Sequence, residues 1–487
     1  MRALKILAFA LGFIVSSVLQ AAPQRPNVIV ILCDDLGYGD LGIHGHPHIQ
    51  TPNLDALASS GIRFANFYST APVCSPSRVG LMTGRSPNLA GVYDWIPPAG
   101  RPRPDARDQV HMRSDEITMP QLLKAAGYAT CMAGKWHCNS HFNDASQPQP
   151  GDVGFDHWFA TQNNAAPSHA NPKNYVRNGQ AVGPLKGFSC QIVADEAMGW
   201  IGQQQQADSD QPFFVYMAFH EPHEPVASPE KLVEQYLAVT DNRDQAEYFA
   251  NVHNVDLAVG RVVKYLEQQK LRDNTLVVFT SDNGPETLMR YRSANRSWGV
   301  TGPHRGMKLH THDGGIHVAG LLSWPGTVKG GQVIRQPVSA LDLLPTMVDL
   351  AGASLPENRT FDGVSLATLL TMGQFPNRTK PLIWAYYNAI NEAKVAMRFG
   401  SWKVLARLNG GQFPQLQNLT PKTKQQLEQA TLTDFEIYNV DIDPGETQNL
   451  YGRDQQSSKK QDELLQQLKL GYAELLTNSP VWTPESE

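Results

Sequence analysis

NVIVILCDD, residues 27–35, is a short apolar run rich in β-branched residues that ends in two adjacent aspartates. This composition is typical of a buried β-strand. Similar runs follow as YATCMA (128–133), PFFVYMAF (212–219) and NTLVVFT (274–280), with segments of helical pattern between them. Strands that alternate with helices predict an α/β fold, in which a mainly parallel sheet is covered by helices on both faces.

The pattern changes after about residue 375. The runs WAYYNA, KVAMRF, WKVLARL and FEIYNV suggest short strands separated by turns, and KKQDELLQQLKLGYAELL closes the chain with a helical period. We therefore expect a larger α/β domain at 23–375 and a smaller α+β domain at 376–487.

The first 22 residues predict a signal peptide. Arg2 and Lys5 precede a mostly apolar run, and small residues follow it at the expected cleavage site. The run is shorter than the roughly 20 apolar residues of a membrane span, so we expect an exported protein, periplasmic or secreted, without a membrane anchor. The net charge of -5 argues against a general nucleic-acid binder. The five cysteines are an odd number, so at least one is expected to be unpaired, and Cys33 on a central strand is expected to be buried.

Polar residues follow each of the four apolar runs. In open α/β sheets, ligands bind at the carboxyl ends of the strands, so these four endings predict one shared crevice. The residues concerned are Asp34 and Asp35, Lys135 and His137, His220 and His223, and Asp282 and Asn283.

Four of these residues carry oxygen ligands. Asp34, Asp35, Asp282 and Asn283 form an all-oxygen set, which suits a hard cation such as calcium or magnesium better than zinc. The alternative is that DDLGYGD and SDNG are ordinary acidic turns, where Asp, Asn and Gly are common.

CSPSRVGLMTGR, residues 74–85, places a thiol where a helix should begin. Pro76 suits a first helical turn, which puts Cys74 and Ser75 at a helix N-terminus, where backbone N–H groups favour anions. Arg78 adds donors matched to a tetrahedral oxyanion. The alternative is a capped helix that buries a structural thiol.

The same stretch resembles the sulfatase signature C-x-P-S-R-x-x-x-x-T-G-R, in which a separate maturation enzyme oxidises the cysteine to formylglycine. Other segments resemble type I sulfatases in the family's order, and together they cover nearly all of the chain after the signal peptide. They include VIVILCDDLGYGDLG, GYATCMAGKWH, FFVYMAFHEPHEP, VVFTSDNGP, RGMKLHTHDGGIHV and EIYNVDIDPGETQNL. The resemblance implies an alkaline phosphatase-like α/β/α sandwich, with a C-terminal subdomain built on an antiparallel sheet.

Position by position, the resemblance also implies site roles. Calcium would be held by Asp34, Asp35, Asp282, Asn283 and the formylglycine from Cys74, and Arg78, Lys135, His137, His223 and Lys308 would surround the sulfate. One hydroxyl of the hydrated aldehyde would attack sulfur to give a covalent sulfo-enzyme intermediate. His137 would then deprotonate the second hydroxyl to expel sulfate, and His223 or Lys308 would protonate the leaving oxygen.

The chain departs from the family pattern at three positions. Asp313 and His317 stand where the family commonly has Glu and Arg in Glu-Gly-Gly-Ile-Arg, and Cys138 replaces a leucine after GKWH. None is a proposed sulfate or metal contact. The departures therefore leave the expected reaction in place, and put the surrounding geometry and the substrate preference in question.

Two arginine-rich segments could contact a substrate. Residues 93–113 carry Arg101, Arg103, Arg107 and Arg113, and residues 289–298 interleave Arg290, Arg292 and Arg296 with Tyr291 and Trp298. Guanidinium groups bind sulfate, although solvated loops would have the same composition. The candidate substrate-binding residues are Arg290, Arg292 and Arg296 of the second segment, together with His220 and His310.

The YDWIP, QNNA and HEPHEP stretches resemble bacterial sulfatases related to N-acetylgalactosamine sulfatases, which implies a sulfated glycan of the galactose or N-acetylgalactosamine type. Two alternatives stay open: a phosphonate or phosphate ester hydrolase of the same superfamily, and a catalytically silent glycan-binding protein in which Cys74 remains a thiol.

Overall fold

The computed structural model describes residues 25–100, 102–453 and 458–483, so the predicted signal peptide at 1–22 lies outside the described residues. The strands are β1 Asn27–Asp34, β2 Ile62–Tyr68, β3 Ala129–Lys135, β4 His157–Thr161, β5 Val176–Arg177, β6 Gln180–Ala181, β7 Phe213–Pro222, β8 Thr275–Ser281, β9 His317–Ser323, β10 Gln332–Ile334, β11 Val338–Ser339, β12 Leu382–Ala385, β13 Val395–Phe399, β14 Trp402–Leu408 and β15 Leu432–Asn439. The helices are α1 Pro52–Ser59, α2 Cys74–Thr83, α3 Met119–Ala125, α4 Ser189–Ala207, α5 Glu230–Tyr236, α6 Arg243–Gln268, α7 Asp313–Ile316, α8 Leu343–Leu350, α9 Ala367–Met372, α10 Pro421–Gln429 and α11 Ser458–Asn478.

The large sheet runs β10-β2-β9-β8-β1-β7-β3-β4-β5-β6, with β11 beside β2. Its centre, β8-β1-β7-β3, is parallel throughout. β9 is antiparallel to both β8 and β2, so the prediction of a mainly parallel sheet holds at the centre of the sheet.

The sequence of β1 explains why this sheet is covered on both faces. Val28, Val30 and Leu32 belong to one hydrophobic core, which also contains residues of α2, α3 and α8. Ile29 and Ile31 belong to a second core, with residues of α1, α4 and α6. Because successive side chains of a strand point to opposite faces, a strand buried on both faces must be apolar at every position.

The C-terminal part forms a second, antiparallel sheet in the order β12-β13-β14-β15. Helices α10 and α11 contribute Leu427, Leu464 and Leu468 to a core with residues of this sheet. The fold class is confirmed: an α/β/α sandwich with a smaller α+β part. The domain boundary at residue 375 stays a prediction; the first strand of the second sheet begins at Leu382.

All five cysteines are free and buried, as expected for Cys33. Among the described residues, no helix combines the length and the apolar character needed to cross a membrane.

Candidate active site

The four predicted strand endings come together at one edge of the sheet, because β8, β1, β7 and β3 are neighbours with the same direction. Lys135, the last residue of β3, places its Nζ 2.5 Å from Asp34 Oδ2 at the end of β1. Lys308 Nζ lies 2.7 Å from Asp35 Oδ2. The edge is therefore a dense cluster of buried, opposite charges.

Gly134 makes the approach of β3 to β7 possible. Its φ is +115°, and a Cβ at this position would lie 1.8 Å from the carbonyl oxygen of Ala218. Only glycine fits both the backbone conformation and the close contact. Gly134 therefore allows β3 to pack against β7 up to Lys135, the next residue.

The oxygen-bearing side chains fit a hard cation. Asn283 Nδ2 donates to Asp35 Oδ1 at 2.7 Å, and the Asp35 N–H donates to Asp282 Oδ1 at 3.2 Å. Asp34 Oδ1 and Asn283 Oδ1 are buried and have no hydrogen-bond partner. Buried oxygens without partners are unfavourable, and carboxylate and amide oxygens are the ligands that calcium prefers.

Arg78 connects this oxygen cluster to the sheet. Its side chain is fully buried, and Nε and Nη2 donate to Asp282 Oδ2 at 2.9 and 2.7 Å. Nη1 donates to the carbonyl oxygen of Lys135 at 3.0 Å. Burial alone would raise the pKa of Asp34, but the positive charges of Lys135, His223 and Arg78 outweigh it and hold that pKa well below its usual range.

Cys74 is the first residue of α2, as the sequence predicts for the helix start, and it lines a cavity of about 370 Å³. The side chain is buried, and burial raises the pKa of the thiol to about 11, against the opposing effect of Lys135 and Lys308. The thiolate is the nucleophilic form of cysteine, so a buried thiol with a raised pKa is a poor nucleophile.

Two histidines, His137 and His223, line the cavity. His137 Nε2 donates to the carbonyl oxygen of Ile96 at 2.9 Å, which leaves Nδ1 buried without a partner. His223 Nδ1 donates to the carbonyl oxygen of Glu224 at 2.6 Å, and Nε2 lies 3.5 Å from Asp35 Oδ2. Burial, with Lys135 nearby, holds the pKa of His137 well below its usual value, which keeps the ring neutral.

Three residues at the edge of this site adopt left-handed backbone conformations. The φ angles are +63° at Asp35, +53° at His137 and +67° at Leu309, which follows Lys308. Such angles are uncommon outside glycine and concentrate at functional sites.

Glu286 is a site residue that the sequence did not reveal. Its two carboxylate oxygens accept hydrogen bonds from Arg290 Nε and Nη2, both at 2.7 Å, and Oε2 lies 3.6 Å from Lys308 Nζ. Burial lowers the pKa of Lys308, but Asp35 and Glu286 outweigh this effect and raise it well above its usual value. Glu286 lies three residues after Asn283 in the same strand-end loop, and this position is the signal by which the sequence could have indicated it.

The outer wall of the cavity comes from several loops. Asn388 and Gln417 are supplied by the C-terminal part of the chain, and no motif marks them. Trp95, stacked under Arg107 at 5.1 Å, and Tyr291 add aromatic surface to the same wall.

Of the five candidate substrate-binding residues, Arg290 lines the cavity. His220 is buried among Thr161 and Ser189, whose hydroxyls lie 2.7 and 2.8 Å from its ring nitrogens. Arg296 is bonded to Asp244 and to the Val226 carbonyl. Arg292 is exposed, and His310 is half-buried; neither is among the residues that line the cavity.

Comparisons with known proteins agree with this geometry. Residues 26–353 match the sulfatase family, and residues 307–406 match the family of N-sulphoglucosamine sulphohydrolase C-terminal regions. N-acetylgalactosamine-6-sulfatase of Sus scrofa is 34% identical over 447 residues, which cover 87% of this chain and 81% of that protein. Arylsulfatase A of Homo sapiens is 32% identical over 496 residues, which cover 96% of this chain and 90% of that protein.

Among solved structures, Ps i-CgsB in complex with k-i-k-neocarrahexaose has a TM-score of 0.77 at 28% identity, covering 95% of this chain and 96% of that chain. The fold and the charge-lined cavity thus define a hydrolase that acts on an anionic ester. The chain belongs to the sulfatase family and is a sulfuric ester hydrolase.

Proposed function

We propose that the protein removes sulfate from a sulfated glycan of the galactose or N-acetylgalactosamine type. The observation that carries this proposal is one cavity whose lining combines two unlike groups of residues. Cys74, His137 and Lys308 lie with the buried charges at the strand ends, while Trp95, Asn388 and Gln417 offer the aromatic and amide surface that suits a sugar. The similarity to an N-acetylgalactosamine-6-sulfatase supports the choice of sugar.

We propose that Cys74 is the modified residue and that Asp34, Asp35, Asp282 and Asn283 hold calcium together with it. Formylglycine would supply a nucleophilic hydroxyl that cysteine lacks, and calcium would polarise the sulfate oxygens as a Lewis acid. The raised pKa of the Cys74 thiol and the unpartnered oxygens of Asp34 and Asn283 are the supporting observations.

The remaining residues act on charge and protons. Arg78, Lys135 and Lys308 lie where they can hold negative charge on sulfate oxygens, and their partners Asp282, Asp34 and Asp35 keep them oriented without solvent. The unpartnered Nδ1 of His137 can accept a proton, because the Ile96 carbonyl fixes the proton of the neutral ring on Nε2. His223 or Lys308 donates the proton to the leaving sugar oxygen.

The proposal includes a partner and a location. A formylglycine-generating enzyme must act on Cys74, and the predicted signal peptide implies export to the periplasm or the medium. Immunoblotting of cell fractions, together with N-terminal sequencing of the mature protein, tests the export directly.

The first test is mass spectrometry of the peptide that carries Cys74, using protein made with a maturation system. Conversion to formylglycine lowers the mass by roughly 18 Da and gives an aldehyde that reacts with hydrazides. An unchanged thiol in protein from the native host would refute the catalytic role of Cys74 and favour the silent glycan-binding alternative.

The second test compares substrates on matured enzyme. We expect release of sulfate from 6-sulfated or 4-sulfated galactose and N-acetylgalactosamine, with kcat/KM well above that for the matching 6-sulfated glucosamine. Phenyl phosphonate and phenyl phosphate esters are assayed alongside. If a phosphonate gives the higher kcat/KM, the sulfated-glycan proposal is wrong and the other superfamily activity takes its place.

A further inference from the structure

A second group of metal-binding side chains lies apart from the oxygen cluster of the active site. It consists of His304, Asp313 at the start of α7 and His317 at the start of β9, all buried. One ligand atom from each lies within 4.8 Å of the others. Two of the three, Asp313 and His317, are positions where the chain departs from the family pattern.

The hydrogen bonds of the two imidazoles indicate which nitrogens carry protons. His317 Nε2 lies 3.0 Å from the carbonyl oxygen of Ala65, and a carbonyl can only accept, so this nitrogen carries the hydrogen. His304 Nδ1 lies 3.4 Å from the carbonyl oxygen of Pro444. The two remaining nitrogens, His317 Nδ1 and His304 Nε2, face each other at 2.5 Å.

If His304 Nε2 carries the proton, it donates a hydrogen bond to His317 Nδ1; if the proton is on Nδ1, two lone pairs face each other, and a cation between or beside them would relieve the repulsion. Neutral imidazole is a common metal ligand, and a carbonyl acceptor on the far nitrogen is the usual means by which proteins fix its tautomer. Two nitrogen ligands of tetrahedral zinc lie about 3.3 Å apart, since each bond is about 2.0 Å long. Binding would therefore require the rings to separate by less than about 1 Å.

Asp313 supplies a carboxylate oxygen within 4.8 Å of a ring nitrogen of each histidine. Its Oδ1 pairs with Lys403 Nζ at 2.5 Å, and its Oδ2 accepts a hydrogen bond from the Tyr68 hydroxyl at 3.1 Å. Each carboxylate oxygen can accept more than one contact, so both remain able to bind a metal. Lys403 also lies 3.1 Å from Glu446 Oε1, so two carboxylates share one ammonium group, and the buried guanidinium of Arg398 adds a second positive charge that acts on Asp313.

Aromatic rings hold the two histidines in place. Tyr38 and Tyr68 stack against His317 with centroids 4.9 and 5.0 Å away, and Tyr38 meets His304 edge-on at 4.9 Å. Ligands that are fixed before the metal arrives bind it with little loss of side-chain freedom.

We propose that His304, Asp313 and His317 form a structural site for a divalent transition metal of the zinc type. Two imidazoles and one carboxylate suit zinc better than calcium, which prefers oxygen ligands. Pro444, Lys403 and Glu446 come from the C-terminal part of the chain, so the metal would strengthen its contact with the large sheet. It would also steady the active-site loop, because the Gly284 N–H donates to the Gly315 carbonyl of α7 at 2.9 Å.

The test measures metal binding rather than activity. Full-length enzyme is dialysed against a chelator, returned to calcium-containing buffer and titrated with Zn²⁺ against a chromophoric indicator. We expect about one tightly bound zinc per chain, lost in both His304→Gln and His317→Gln. His310→Gln, which changes a histidine of the same loop outside the cluster, should keep it. No tightly bound zinc in the wild type, or equal binding in all four proteins, would overturn the proposal.

A second measurement covers the case in which a variant fails to fold. Wild-type crystals soaked with Zn²⁺ are examined by anomalous scattering at the zinc edge. A peak bounded by His304, Asp313 and His317 supports the site. Absence of a peak there, which is the result expected if the two histidines merely share a proton, overturns it.

Discussion

The two ends of the active-site cavity are built in different ways. At the inner end, Arg78, Lys135 and Lys308 project from helix α2, from the end of β3 and from a packed loop, with side chains no more than 4% exposed. At the outer end, Arg290 is 34% exposed and Arg292 lies in solvent. The residues proposed to hold the sulfate are thus buried in the packed interior, while those proposed to meet the sugar lie on exposed loops.

The largest expected effect tests the inner end at Cys74. Cys74→Ala removes the residue proposed to become the nucleophile, so kcat for an aryl sulfate should fall by ~10⁴-fold or more. Circular dichroism and the melting temperature establish that the variant is folded. Activity within about tenfold of the wild type would show that the nucleophile lies elsewhere.

The next effect concerns Lys308, which lines the cavity at its inner end. Lys308→Met keeps the length of the side chain but removes the charge, and we expect kcat to fall by ~10²–10³-fold. Breaking the buried pair with Asp35 should also lower the free energy of unfolding by ~3–5 kcal/mol, measured by urea denaturation. A stability loss without a loss of kcat would assign Lys308 a purely structural role.

A smaller, selective effect is expected at Arg290 on the outer wall. Arg290→Ala should raise KM for a sulfated oligosaccharide by about tenfold while KM for a small aryl sulfate changes little, because the small substrate does not reach the wall. Steady-state kinetics with both substrates make the comparison. An equal increase in KM for both substrates would mean that Arg290 binds the sulfate group, and would contradict its assignment to the outer end.

The smallest effect is expected at Arg292, two residues further along the same loop. Arg292→Ala removes an exposed side chain, so the free energy of unfolding should change by at most about 0.5 kcal/mol. KM for the oligosaccharide should stay within about twofold. This variant is therefore the matched control for Arg290→Ala. A tenfold increase in its KM for the oligosaccharide would show that Arg292 also contacts the substrate.

The positions of Asp34 and Asp35 at a strand end could be predicted from the sequence for a physical reason. A strand buried on both faces must be apolar throughout, so Asp34 and Asp35 after NVIVIL mark the point where the chain leaves the core. The helix start at Cys74 could be predicted for a similar reason, since Pro76 is favourable only in a first turn.

The outer end could not be predicted, because it depends on tertiary contacts. Asn388 and Gln417 reach the cavity from another sheet, and nothing in their local sequence distinguishes them from ordinary surface residues. His220 is the reverse case, since its position after a strand predicted a site residue that the structure does not place in the cavity lining. It follows an apolar strand as His223 does, yet Thr161 and Ser189 surround its ring. The position of β9, antiparallel between β8 and β2, also could not be predicted from local sequence patterns.

The left-handed backbone at Asp35, His137 and Leu309 has a consequence for how this protein could evolve. Each such residue lowers the free energy of unfolding by ~1–3 kcal/mol relative to a relaxed conformation. Glycine would relieve much of this strain, but at Asp35 it would also leave the buried charge of Lys308 without its partner, which costs more than the strain itself. Laboratory selection for thermal survival alone should therefore retain the strained backbone at Asp35, because every exchange that relieves it also removes the partner of Lys308.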